Sequence, residues 1–440
     1  MLRQWLVAGV TFLLSTAVTA GIPIQNWKTP LGIDVYLVEA KSIPMIDIQI
    51  DFMAGSLYDP PGQAGLASMT ASMLDKGSRL SQSVLSEDQI ADVWADEGAV
   101  FGASASAERA SIRIRTLSQA DRRQRVLKIA QQMLKEPLFD EKIFQRERER
   151  VIASLRESNT KPESILSKEF SKALYPNHPR GIDVTEQDLK NIQVKHLKSF
   201  YRNYFVQDQV KVTIVGDISR QDAQQLVDDL LSQFPRNTTV NRDLPPVKKL
   251  PVDTMANREK RIAHPSQQAH ITMGTIAITR NDPDYFPLLV GNYVLGGGGF
   301  VSRLVKEVRE KRGLAYSVYS YIAPGKEPGP FAAGMQTQVG QIQTALDVMR
   351  TTIGDYVNQG PTDEELTAAK ANLINGFPLR IDSNRKLLDN VASIAWLGLP
   401  LDTLDRWTQE VANANADQIR QALKKHIQMN TMVTVVVGGP

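Results

Sequence analysis

The side chains able to do chemistry in this chain are few, and their spacing narrows the choices. There is no cysteine, which removes thiol nucleophiles, disulfides, thiolate zinc and iron–sulfur clusters together. Five histidines remain: His178, His196, His264, His270 and His426. No two are three or four apart, and none is followed by an acid at a metal-ligand spacing, so a native metal centre is not expected. His270 sits in an alternating stretch and His178 in a Pro-Asn-His-Pro loop, both read as structural. No serine lies in a Gly-x-Ser-x-Gly elbow. The run Gly296, Gly297, Gly298 and Gly299 lacks a following Gly-Lys-(Ser/Thr) and a strand–loop–helix frame, so it is read as a turn that lets backbones approach closely rather than a phosphate cradle.

The elements that must position any site repeat. At a constant offset of 222 residues, Val212-Thr213-Ile214-Val215-Gly216 falls on Thr434-Val435-Val436-Val437-Gly438, and the amphipathic stretch Leu197 to Phe205 falls on Ile419 to Ile427. Ile46 to Ile50 likewise falls on Gln268 to Thr272, and Leu66 to Leu74 on Leu288 to Gly296. Periods of 2 and about 3.6 alternate within each half, which predicts an α+β protein of two homologous tandem domains, each an antiparallel-rich sheet covered by helices. Arg236 to Asn257, polar and rich in proline, reads as the linker. The expected organisation is therefore a segment 1–20, a first domain 21–235, a linker 236–257 and a second domain 258–440.

Segment 1–20 has one early charge at Arg3, an apolar run from Leu6 and small residues at Val18 and Ala20. It reads as a cleaved secretory signal, and the location expected is periplasmic. No later stretch is apolar enough to span a bilayer. Lys plus Arg number 51 and Asp plus Glu 48, a net charge of +3, too little on so large a surface to imply nucleic acid as the partner.

Gly55-Ser56-Leu57-Tyr58-Asp59-Pro60-Pro61-Gly62 followed by a helix over Gly65 to Ser78 resembles the pitrilysin and mitochondrial-processing-peptidase family of zinc peptidases. In that family the helix carries H-x-x-E-H, two zinc ligands on one helical face and a glutamate that works on the metal-bound water. Here those positions hold Ser68, Ala71 and Ser72, and the third acidic ligand aligns with Ser154 or Leu155. The resemblance thus implies a degenerate metal site, with no catalytic residue and no metal in this chain. Gly102-Ala103-Ser104 stands where active relatives show Asn-Ala. The neighbouring Arg146 to Arg150 charges read as a solvated helix face.

The second half keeps what the first has lost. Asn292 to Leu304 and Val308 to Val318 resemble the signature of the family's C-terminal domain, in which an arginine and a tyrosine seven residues apart hold substrate main chain. Arg309 and Tyr316 match them, and the glycines 296–299 match a loop that touches substrate. A guanidinium fork and a phenol can fix an extended peptide's carbonyls and stabilise charge on one of them. The bland alternative puts Arg309 on a solvated face and Tyr316 on a packed strand. The resemblance implies the non-catalytic, substrate-binding subunit of a heterodimeric periplasmic zinc peptidase, with an extended peptide as ligand and a homologous partner bearing the intact H-x-x-E-H and the zinc. The alternative is a peptide holdase or scaffold subunit of an envelope complex without peptidase activity.

Overall fold

The computed structural model describes residues 21–79, 83–236, 240, 242–254 and 256–439. The expected signal segment 1–20 lies outside the described residues, as do parts of the expected linker. Two sheets organise the chain. Sheet one is built from β1 (Gln25–Lys28), β2 (Asp34–Glu39), β3 (Met45–Phe52), β6 (Val100–Ala105), β7 (Ala110–Leu117) and β8 (Lys211–Gly216), in the order β1-β2-β8-β3-β7-β6; β4 (Ser78–Arg79) and β5 (Val84–Leu85) form a separate hairpin. Sheet two contains β9 (Glu259–Ile262), β10 (Gln268–Ile278), β11 (Ala315–Ile322), β12 (Gly329–Gln338) and β13 (Val433–Val437), in the order β11-β12-β10-β13-β9.

Apart from β1, the orders are the same, strand for strand, and each sheet is antiparallel except for one parallel pair, β2 with β8 and β9 with β13. The repeat read from sequence is therefore a repeat of topology. Helices Val194–Tyr204 and Ala416–His426 keep the 222-residue offset at both ends. So do the turns that end β8 and β13: Gly216 has φ +147° and Gly438 φ +137°. A side chain at Gly216 would meet the Met45 carbonyl at 2.2 Å, and at Gly438 the Ala269 Cα at 2.7 Å, so glycine is required at both for the same reason.

Each sheet buries one face under helices of its own half. Val126, Ala130 and Met133 of the helix Ala120–Lys135 sit in the first core, and Ala345, Met349 and Ile353 of Ile342–Gln359 in the second. The opposite faces are covered by exchange. Leu166, Phe170 and Leu174 of the helix Pro162–Leu174 pack on Ile276, Ala332, Val433, Val435 and Val437 of sheet two. Leu387, Leu388, Val391 and Ile394 of Asn384–Leu397, the same helix one repeat later, pack on Val38 and Val215 of sheet one. Each half thus lends a helix to the other, and their apolar clusters hold the halves together.

This exchange changes the reading of β3. Its alternation of apolar and polar residues predicts a face in water, yet Asp47, Gln49 and Asp51 are buried. Arg115 binds Asp47 at 2.7 Å, while Arg109 at 2.9 Å and Ser111 at 2.5 Å bind Asp51. Arg113, on the next strand, reaches Asp389 of the exchanged helix at 2.6 Å. The polar face became an interface, and arginines supply the charges that burial demands.

Candidate functional site

The helix carrying Ser68, Ala71 and Ser72 runs over Leu66–Ser72, shorter than the span to Ser78 expected from sequence. Gly65 opens it at φ +99°, and Asp59 caps it, accepting from the Gly65 amide at 2.7 Å and the Ala67 amide at 2.8 Å. Burial raises the Asp59 carboxyl to about 6 against these bonds. Leu66, Ala67, Met69 and Met73 bury the other side of the helix in the first core. The local frame of a metal helix is therefore intact, but its chemistry is not. Ser68 is exposed, Ala71 is buried without a polar atom, and the Ser72 hydroxyl donates back to the Met69 carbonyl at 3.0 Å. Of the two candidates for the third ligand, Ser154 is exposed and Leu155 packs against the core. These groups do not fit a zinc ion: no imidazole or carboxylate is among them, and the one half-buried hydroxyl is already committed.

The charge run on the same helix, Glu141–Ser158, is not a wholly solvated face. Glu147 is buried and held by Arg146 at 2.8 Å and Arg150 at 2.7 Å. Other histidines are tied to backbone. His178 is buried and bonds the Pro245 carbonyl at 2.9 Å, and His264 bonds the Thr160 carbonyl at 3.0 Å. His270 is buried within β10 between β12 and β13.

One gathering of ligand-type groups was invisible in the spacing. His426 brings Nε2 to 2.8 Å from Asp284 and 3.9 Å from Asp282, across a gap of some 140 residues. Lys425 places its ammonium on the same Asp284 oxygen at 2.6 Å, so that carboxylate already has a cation. Only the fold joins these residues, so no sequence signal marked them.

In the second half, most residues of the matched stretch have structural work. Asn292 and Ser320 exchange hydrogen bonds in the core, at 2.8 and 3.3 Å, joining the turn to β11. The chain winds as a π-helix over Tyr293–Gly297, and Gly296 lies where a side chain would meet the Ser320 amide at 2.5 Å and Leu304 at 2.8 Å. This is the close backbone approach expected of the glycine run. Gly297 and Gly299 face solvent, and Gly299 turns the chain at φ +63°. Ser302 bonds the Gly299 carbonyl at 2.7 Å, and Arg303 holds Glu365 through two bonds of 2.6 Å.

After these are subtracted, Arg309, Phe300 and Tyr316 are left side by side, the arginine half-buried and the two rings exposed. Arg309 lies on a second π-helix, Val305–Glu310; such bulges recur at functional sites. Its neighbours Lys311 and Arg312 both pair with Glu307, at 2.7 and 2.9 Å. The Arg309 guanidinium instead lies 5.1 Å from the ring centres of both Phe300 and Tyr316. Those rings are 73% and 76% exposed, a large share of apolar ring surface to leave in water. Tyr316 is the extra residue of a β-bulge, since Ala315 pairs with Thr337 and Ser317 with Gln336. Bulges re-aim side chains at sheet edges. Among the described residues β11 is an edge strand, bonded to β12 alone, and β6, which carries Gly102, Ala103 and Ser104, is likewise an edge strand of sheet one, bonded to β7 alone. Arg309 and Tyr316 are thus brought together beside that edge; the exposure of Tyr316 departs from the bland reading of a packed strand, while the placement of Arg309 fits either reading. Phe300, which sequence reasoning passed over, completes the group; its place directly after four glycines was the available signal.

Two family descriptions match successive stretches of the chain. The family description "Insulinase (Peptidase family M16)" matches residues 35–188, and "Peptidase M16 inactive domain" matches residues 191–373. The chain belongs to the M16 family of peptidases. A crystal structure of a peptidase M16 inactive domain from Pseudomonas fluorescens is 30% identical, with a TM-score of 0.87 over 95% of this chain and 98% of that one. Among curated relatives, an uncharacterized zinc protease YmxG of Bacillus subtilis is 24% identical over 90% of this chain and 94% of its own length. A non-peptidase homolog YmxG of Helicobacter pylori is 22% identical over 98% and 97%. With Ser68, Ala71 and Ser72 in the metal helix, this M16 chain is a non-catalytic member of its family. Among the described residues no helix is long and apolar enough to cross a membrane.

Proposed function

We propose that this M16 protein is the substrate-holding subunit of a heterodimeric zinc peptidase of the periplasm. A homologous partner carries the H-x-x-E-H helix and the zinc; this chain supplies Arg309 and Tyr316. The observation that carries the reading is the Arg309 guanidinium, which among the described residues enters no ion pair and lies against two exposed rings beside an edge strand, in a chain whose own metal helix has Ser68, Ala71 and Ser72 where ligands and base would stand. An arginine without a carboxylate partner is free to bind carbonyl or developing oxyanion groups of a ligand. An open edge accepts an extended peptide as an added strand through main-chain hydrogen bonds, which selects unfolded segments. The exposed glycines 297 and 299 extend that surface and leave room for peptide backbone.

The chemistry that cleaves a bond is then the partner's. In this chain, Arg309 and Tyr316 orient the substrate carbonyl and offset negative charge on it. The reading is tested by co-purifying the exported chain with a homologue bearing H-x-x-E-H and assaying peptide cleavage. The expected result is a mixed complex that cleaves peptides and loses turnover, but not assembly, in Arg309→Ala and Tyr316→Phe. Full turnover in both variants would remove the pair from the site. Failure of any such homologue to associate, with peptide still bound by this chain alone, would favour the holdase reading instead.

A further inference from the structure

A cavity of about 590 Å³ opens at the junction of the two halves, beside the starts of β2 and β8. Its wall carries four cations, Lys28, Lys211, Arg236 and Lys326, against two carboxylates, Asp34 and Asp208. Lys28 and Lys211 both pair with Asp34, one on each oxygen. Among the described residues, Arg236 and Lys326 enter no ion pair. Two positive charges are left in excess. The cavity beside Arg303 shows the ordinary balance, with Arg303, Lys306 and Arg312 against Glu307, Asp347, Asp355 and Glu365.

Lys326 is the telling member. It sits in the connection between β11 and β12, crosses from the second half to the first, and rests its ammonium 4.0 Å from the centre of the Trp396 ring. Arg109 lies against the same ring, 5.3 Å from its centre. Burial holds the Lys326 ammonium below the ordinary lysine range, and Lys211 and Arg109 repel it further, against the opposing pull of Glu108 and Asp51. A ring face offers a cation only part of what an anion would.

We propose that this cavity binds a small, multiply charged oxyanion of the phosphoryl or polycarboxylate class, gripped by Lys326 from the second half, by Lys211 from the first and by Arg236 where the linker leaves it. The charge surplus, the room for an ion with its waters, and donors arriving from two sides are what such a ligand requires. The bound ion pins the β11–β12 connection to sheet one. It does so at the opposite end of β11 from Tyr316, and the site stands whether or not peptide binds at Arg309.

The test uses the whole mature chain, with calorimetric titration and thermal unfolding in sodium pyrophosphate or sodium citrate against sodium chloride of equal ionic strength. The expected result is saturable binding at one site per chain and a rise in Tm, with affinity at least about tenfold lower in the double variant Arg236→Gln/Lys326→Gln. Gly32→Asp gives a second reading that leaves every cation in place. Gly32 lines the cavity and a side chain there meets no atom within 4 Å, but its φ of +82° strains any side chain, so Gly32→Asn, equally strained and uncharged, is the reference against which Gly32→Asp is read. Its carboxylate is expected to weaken binding in the same direction. Tighter binding of pyrophosphate identifies a phosphoryl ligand and tighter binding of citrate a polycarboxylate. Responses to both that match chloride, or undiminished binding in the double variant and in Gly32→Asp, would overturn the site.

Discussion

Leu66–Leu74 and Leu288–Gly296 occupy the same place in the two repeats, and they have diverged in opposite ways. The first keeps a regular helix, its Asp59 cap and its buried apolar face, while the positions that would act hold Ser68, Ala71 and Ser72. The second begins in the α-helix Tyr285–Asn292, breaks into a π turn over Tyr293–Gly297 and leads to a half-buried Arg309 that lies against two exposed rings. Framework and chemistry are therefore separable. A cap and an apolar stripe are maintained by folding stability alone, whereas an unpaired guanidinium between solvent-exposed rings earns nothing comparable from folding.

The sharpest break would come from Arg309→Ala. Turnover of the mixed complex is expected to fall by on the order of 2–4 kcal/mol of transition-state stabilisation, with no change after Ser72→Ala. Steady-state kinetics on the two variants decides it, and equal losses would erase the contrast between the regions. Gly296→Ala comes next. Its new Cβ would meet the Ser320 amide and Leu304, so a loss of about 1–3 kcal/mol in denaturant unfolding is expected.

Asp59 probes the framework of the first region. Its carboxyl is raised from an ordinary 3.8 to about 6, so between those values the native state holds more protons than the unfolded state. Stability from this group is full below pH 3.8 and is lost as pH rises through 6, by at most about 3 kcal/mol. Unfolding curves across that window should show the decline in the wild type and lack this component in Asp59→Asn. The smallest effect is expected at Phe300→Ala, which removes one ring from Arg309. A change of about 0.5–1 kcal/mol in substrate affinity of the mixed complex would fit a positioning role. A loss as large as that of Arg309→Ala would mean that Phe300 itself grips substrate.

The duplication was legible because glycine at 216 and 438 and the apolar periods of the strands are local requirements written into local sequence. The losses at 68, 71 and 72 were legible because ligation depends on residue type at a fixed helical spacing. Exchange of Pro162–Leu174 and Asn384–Leu397 between the halves was not. An apolar helix face states that it must be buried but not against which sheet, and the burial of Asp47 and Asp51 followed from that choice. The approach of His426 to Asp284 and of Lys326 to Trp396 was equally hidden, since each joins residues far apart in sequence.

Sequence alone determined the repeated α+β plan and the residue types at 68, 71 and 72, because both rest on residues at short, fixed separations. Tertiary structure decided that Arg309, without an ion-pair partner among the described residues, lies against Phe300 and Tyr316 beside an edge strand, and that four cations meet around one cavity. Exposure and charge balance are sums over neighbours that only the folded chain brings together.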